Sequence, residues 1–165
     1  MFKKILAASI ALISVNALAL DAPIVGNVES KCVVTLDKQG VYGNPTSSEL
    51  STDAVDGGVA PVIRYDVVIA DSYKAVITHP SSFSQSPALN DTVTWTGSTA
   101  VDAVSDSQMS AYDTSKVEYD STTEIDLEFT GSTWFAVSSS ADYGVNKALP
   151  GGTYTAIVEA NCIAL

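Results

Sequence analysis

Only three side chains of this 165-residue sequence belong to types that ionise near neutrality or present a soft nucleophile: His79, Cys32 and Cys162. Histidine is the usual proton carrier in catalysis because its unperturbed pKa lies in the physiological range. His79 stands directly before Pro80 at the end of an apolar run, and no G-x-S-x-G elbow is present to supply a nucleophile. It reads as a partly exposed turn residue. The cysteines lie near the two ends of the chain, with neither a C-x-x-C spacing nor a histidine beside them to favour a metal or a reactive thiolate. In an oxidising compartment such a pair forms a disulfide. Closing so long a loop stabilises a fold by roughly 4 to 5 kcal/mol in the chain-entropy model, less any strain.

Carboxylates are the other candidates: 19 Asp and Glu against eight Lys and Arg give a formal charge of −11. Asp53 and Asp56 before Gly57-Gly58, and Asp102 with Asp106, offer hard oxygen ligands on loops, but the alternating ligands and closing Glu of an EF-hand are missing. They read as solvated acidic loops, so no metal and no cofactor is expected. Trp95 and Trp134 are of the type that stacks on sugar rings. Trp95 shares its side of a strand with Val93 and is expected in the core, whereas one of the adjacent pair Trp134 and Phe135 must face outward. The acidic balance argues against nucleic acid and anionic lipid as partners, since both are held mainly by Lys and Arg. No catalytic set emerges.

The elements that must position these residues begin with an address. Lys3 and Lys4 precede an apolar run from Ile5 to Val15, and Ala17-Leu18-Ala19 places small residues at a cleavage site, which makes residues 1–19 a secretory signal peptide. The run is about half the ~20 residues a membrane-spanning helix needs. Removing residues 1–19 takes Lys3 and Lys4 with it and moves the formal charge from −11 to −13. The remainder fits one soluble domain.

From Pro23 onward, short runs of Val, Ile, Thr and Tyr alternate with Gly, Pro, Asn, Asp and Ser, the punctuation of an all-β chain. In Glu124–Phe129 the acids Glu124, Asp126 and Glu128 alternate with Ile125, Leu127 and Phe129, which predicts a half-buried strand. Thr92–Thr96 repeats the pattern. Val62–Ile69 predicts a central strand with Tyr73–Thr78 as its hairpin partner, closed by His79-Pro80. Further strands are predicted at Cys32–Leu36, at Trp134–Val137 and at Thr153–Ile163 after the Pro150-Gly151-Gly152 turn. Tyr42–Gly58, Ser81–Asn90 and Ala100–Thr123 read as loops, with helical turns around Ala103–Tyr112. The fold class expected is an antiparallel β-sandwich of immunoglobulin type.

The run Pro150-Gly-Gly-Thr-Tyr-Thr-Ala-Ile-Val-Glu-Ala resembles the last strand of chaperone-usher pilins. In order along the chain, Tyr73-Lys-Ala-Val-Ile-Thr followed by Pro87-Ala-Leu-Asn-Asp-Thr-Val-Thr-Trp-Thr-Gly is similar to the alpha-type major subunits of colonisation-factor fimbriae. The resemblance implies an incomplete immunoglobulin fold, lacking its final strand, that polymerises when the N-terminal extension of one subunit fills a groove in the next. Residues 20–31 are then the extension, with Ala22, Ile24, Gly26 and Val28 as the donor face, and residues 32–165 the domain. The groove would run along Tyr154, Ala156, Val158 and Ala160. A periplasmic chaperone and an outer-membrane usher, together with further copies of the chain, are the implied partners. Location would be the periplasm and then the cell surface.

Two features depart from that family: the extension before Cys32 is short, equally readable as an ordinary first strand, and related subunits generally lack the cysteines. Bridged Cα atoms lie within ~7 Å, so a Cys32–Cys162 bond fits an open groove only at its end; a bond in mid-strand implies a finished domain. The alternative left open by the residues is therefore a self-contained periplasmic or secreted immunoglobulin-like module that binds a ligand, such as a carbohydrate, without catalysis.

Overall fold

A computed structural model describes residues 24–26 and 31–165; the signal sequence expected at 1–19 and the donor positions Ala22 and Val28 lie outside the described residues. The β-branched and aromatic runs fold as β1 (Cys32–Lys38), β2 (Gly43–Thr46), β3 (Glu49–Ser51), β4 (Val62–Val67), β5 (Tyr73–Thr78), β6 (Phe83–Gln85) and β7 (Thr94–Val104). A 3-10 turn (Ser107–Ala111) and the short helix α1 (Tyr112–Ser115) intervene before β8 (Val117–Tyr119), β9 (Thr122–Asp126), β10 (Gly131–Asp142), β11 (Thr155–Ala156) and β12 (Glu159–Ala164). Among the described residues no helix is long and apolar enough to cross a membrane.

All pairing is antiparallel, and the strands form the two layers of an all-β sandwich. In one sheet β10 is the hub: β7 pairs along one side of it, while β4 and then β3 share the other side. β1 lies outside β4, and β2 outside β3. The second sheet runs β12-β5-β9-β8, with β11 paired to β6 beside it.

Alternation decides what faces inward. On β5 the side chains of Tyr73, Ala75 and Ile77 are buried, while Lys74 points out and pairs with Glu124 at 2.8 Å and Asp126 at 3.7 Å. Ile125 and Leu127 are buried as the alternation predicted, although the strand itself ends at Asp126. β4 contributes Ile63, Tyr65 and Val67, and β10 contributes Phe135 and Val137, to the same core. Met109 and Tyr112 plug it from the segment between β7 and β8.

Several expectations need correction. β4 and β5 are not hairpin partners: they lie in opposite sheets, and their apolar faces meet across the core instead of edge to edge. The link between them crosses from sheet to sheet, with Asp71 in left-handed conformation at φ 56°. Three predicted loops contain strands, because β2, β3, β6 and β8 are only three or four residues long and the second half of β7 is Ala-, Ser- and Asp-rich. Strand formation depends more on the neighbour than on intrinsic preference, and β10 supplies that neighbour to β7 from Thr94 to Val104. The strand expected over Thr153–Ile163 is broken at Ile157-Val158 into β11 and β12.

Candidate functional site: a groove between two sheet edges

β1 and β12 are outer strands of opposite sheets, each paired on one side only among the described residues. The disulfide Cys32–Cys162 joins them with Cα atoms 6.3 Å apart. Cys32 is the first residue of β1, and Cys162 lies toward the end of β12. Beyond the bridge the two edges border a groove of about 580 Å³. One wall is formed by Leu36 and Gln39 to Tyr42 and the other by Gly152 and Tyr154 to Val158, over a floor of Leu50, Ile63 and Val137.

Leu36 reports most directly on this groove. Period-two alternation puts it on the same face as Cys32 and Val34, which pack against the core. Leu36 nevertheless remains 61% exposed. Opposite it, Tyr154, Ala156 and Val158 are the half-buried positions of their segment and Thr155 and Ile157 the exposed ones, and all five line the groove. The edge therefore combines apolar side chains with backbone N–H and C=O groups that have no strand partner among the described residues, which is the chemistry of strand addition.

No charged side chain is among the described residues lining the groove. Tyr42 and Tyr154 are its ionisable groups, and burial raises the pKa of each above the ordinary phenol value, so both are neutral near pH 7. Their hydroxyls are engaged: Tyr42 with Ser139 Oγ at 3.1 Å, and Tyr154 donating to the Pro150 carbonyl at 2.6 Å. At the mouth, Phe83 packs edge-on against Trp95 (centroids 4.7 Å apart), Tyr154 (5.0 Å) and Tyr42 (6.5 Å).

Of the residues expected to line a groove, Tyr154, Ala156 and Val158 do so; Ala160 shares their face but packs on the core beside the bridge. In the candidate donor segment Ile24 and Val25 are 100% and 89% exposed, and Gly26 is exposed too. Neither cysteine lines the groove: Leu36 and Val158, the lining residues that precede the bridge on each wall, are four residues along the chain from Cys32 and Cys162.

Other candidates take structural positions. His79 is buried, not a partly exposed turn residue: its Nε2 is 2.9 Å from Thr99 Oγ1, and Gly97 leaves room for the ring where a Cβ would lie 2.5 Å from Nδ1. Burial is the main cause that lowers its pKa, with Glu118 opposing and Lys116 assisting. Asp53 and Asp106 cap 3-10 turns by accepting from Val55 N and Gln108 N. Gly57 closes the first of those turns at φ 77°, and Gly58 packs so closely on Ser51 that no Cβ fits. Asp102 lies on β7.

Trp95 is half-buried at the groove mouth, packed against Phe83, and is not part of the core. Of the adjacent pair, Phe135 is buried and Trp134 faces outward, donating to Asp37 at 2.9 Å beneath the Arg64 guanidinium.

Sequence reasoning missed Leu36, Val41, Leu50, Ile63 and Val137. Only the exposure of an inward-facing leucine distinguishes them from ordinary core, and that is a property of the assembled sheets. Comparison with known protein families, with curated proteins and with solved structures finds no match for this chain.

Proposed function

We propose that this chain is an exported structural subunit of a bacterial surface fimbria. It assembles when the N-terminal extension of one copy, residues 20–31, adds as a strand between β1 and the β11–β12 segment of the next. The observation that carries this reading is the apolar, uncharged groove between two unpaired sheet edges. β12, the last strand of the domain, pairs only with β5, and no described residue pairs along its other edge. The exposed Ile24 and Val25 support the extension as its occupant, since two large apolar side chains in water gain roughly 1.5 to 3 kcal/mol each on full burial. The export signal read at residues 1–19 and the disulfide are compatible with passage through an oxidising periplasm. There a chaperone would cover the groove before an usher delivers the subunit.

The test is co-expression with a chaperone and usher, followed by shearing of the cell surface. Sheared fibres containing the chain, lost on Ile24→Asp, are expected. A chain that stays monomeric under those conditions refutes the proposal.

A second reading, a self-contained binding module, is favoured by the bridge itself, which ties β1 to β12 without help from another copy. Its aromatic cluster of Phe83, Trp95, Tyr42 and Tyr154 would be the ligand platform. Quenching of Trp95 fluorescence by a glycan, with no fibre formed, would favour this module over the fimbrial subunit.

A further inference from the structure

We infer that Asp113 and Lys116 form a clasp on the outer edge of β7, which shuts the second seam of the sandwich against strand pairing with another copy of this chain.

That seam lies on the side of the sandwich away from the groove, between β7 and β8, the outer strands of the two sheets there. Each is paired on one side only among the described residues. An unpaired edge is a template for another strand. β7 is the greater hazard, with eleven residues against three.

The register shows which groups β7 presents. On β10, Val137 N donates to the Pro61 carbonyl at 3.0 Å, and the Ser139 carbonyl accepts from Thr52 N at 2.9 Å. These two residues therefore turn their backbone polar groups away from β7. Their partners on β7 are Thr99 and Gly97. Opposed residues of an antiparallel pair either exchange both bonds or neither, so Gly97 and Thr99 turn theirs out to the free edge. Val101, opposite Phe135, is the next residue of that parity.

Side chains meet those groups where a strand would. Val101 N donates to Asp113 Oδ1 at 2.8 Å, and the Thr99 carbonyl accepts from Lys116 Nζ. One donor and one acceptor on alternate residues are satisfied, as a partner strand would satisfy them. Asp113 belongs to α1 and Lys116 follows its last residue, a spacing of three that puts both on one face of the turn. Tyr112 anchors that turn: its ring is buried, and its hydroxyl accepts from Phe129 N at 3.1 Å. Lys116 also pairs with Glu118 of β8 at 3.1 Å, so the clasp reaches across the seam. Beside Gly97 the buried His79 ring fills the space a Cβ would need. An incoming strand has to displace two charge-assisted bonds and offers neutral ones in return.

One consequence rests on the fimbrial reading: with a single accepting seam, subunits add in line and do not branch. The clasp itself does not depend on that reading.

The experiment measures the mass of the full chain by sedimentation equilibrium, in a Leu36→Asp background that puts a charge in the groove. Asp113→Ala/Lys116→Ala opens the clasp and leaves the net charge unchanged. At protein concentrations up to about 1 mM, the scale of weak association, the parent should stay monomeric and the opened variant should approach twice the monomer mass. Amide exchange at Gly97 and Thr99 should slow as the dimer forms. Asp113→Asn/Lys116→Arg keeps an acceptor and a donor and should remain monomeric. An opened variant that stays monomeric, a dimer in which Gly97 and Thr99 exchange as before, or equal association of the conservative variant overturns the clasp. If the double alanine variant does not fold, Asp113→Ala alone, which frees only Val101 N–H, is read in the same way. The groove stands or falls separately, on the sheared fibres.

Discussion

The bridged half of the sandwich and the open half are built from the same strands yet end differently. In the bridged half Tyr65, Met109, Tyr112 and Phe135 are at most 1% exposed, with ring centroids 5.7 Å apart for Tyr65–Phe135 and 6.4 Å for Tyr112–Phe135. Tyr65 also reaches from β4 to donate to the Asn161 carbonyl at 3.3 Å, next to Cys162 in the other sheet. In the open half Leu50, Ile63 and Val137 are also buried, at 8%, 5% and 0% exposed, but they form the floor of a groove whose wall residue Leu36 is left in water. The difference lies in what covers the seam. A covalent link and the Met109–Tyr112 plug close one half, and nothing in the described chain closes the other. Folding stability should therefore come mainly from the bridged half, and association from the open one.

The largest test of that division is Phe135→Ala. Removing a fully buried ring from the closed core should cost about 3 to 5 kcal/mol, read as a lower denaturation midpoint of the monomer. The Cys32→Ala/Cys162→Ala variant should follow, losing roughly 2 to 5 kcal/mol because the cross-link spans 130 residues of chain. A loss below about 1 kcal/mol in that variant would mean that packing around Tyr65 holds the seam unaided.

This division also explains what the sequence could and could not reveal. Alternation in Glu124–Phe129 made a strand and its inward face legible, and the β-branched and aromatic runs Cys32–Leu36 and Tyr73–Thr78 made two more strands legible, since those segments carry their own local signal. The cysteine pairing was legible from the compartment and the lack of any competing partner. Sheet membership was not: β4 followed by β5 has the local pattern of a hairpin, and only the demand that both apolar faces cover one core separates them. The Tyr154, Ala156 and Val158 wall was expected from the resemblance of the C-terminal run, not from its residues alone. The opposite wall and floor need three further strands to be in place before Leu36 differs from any other inward leucine. His79 was misjudged for a related reason, because the glycine at 97 that makes room for its ring lies on a distant strand.

On the open half the effect should be seen in assembly and hardly at all in stability. Leu36→Asp replaces a side chain that is mostly in water, so the monomer's unfolding free energy should move by less than about 0.5 kcal/mol. A charge inside an otherwise uncharged groove, however, has no partner once a strand covers it. Binding of a peptide of residues 20–30 should be abolished. A monomer destabilised as much by Leu36→Asp as by Phe135→Ala would erase the distinction between the halves.

The smallest effect concerns pH, through His79 at the border between the aromatic cluster and the second sheet. Burial first, and Lys116 second, hold its folded-state pKa below the ordinary value, with Glu118 and a backbone contact at Gly97 opposing. As pH falls through the ordinary histidine range, near about 6.5, the unfolded chain takes up a proton that the folded chain refuses. The unfolded state then binds more protons, so stability is full above that range and declines as pH drops from it toward the depressed folded value, below which this group causes no further loss. His79→Gln keeps a side-chain amide able to meet Thr99 Oγ1 and removes the titration. Unfolding free energies of the native protein and the variant, compared between pH 7.5 and 5.5, should show a decline in the native protein that the variant lacks. Equal slopes would mean that the imidazole is protonated inside the fold at little cost, and that the mouth of the groove is wetter than its packing around Gly97 implies.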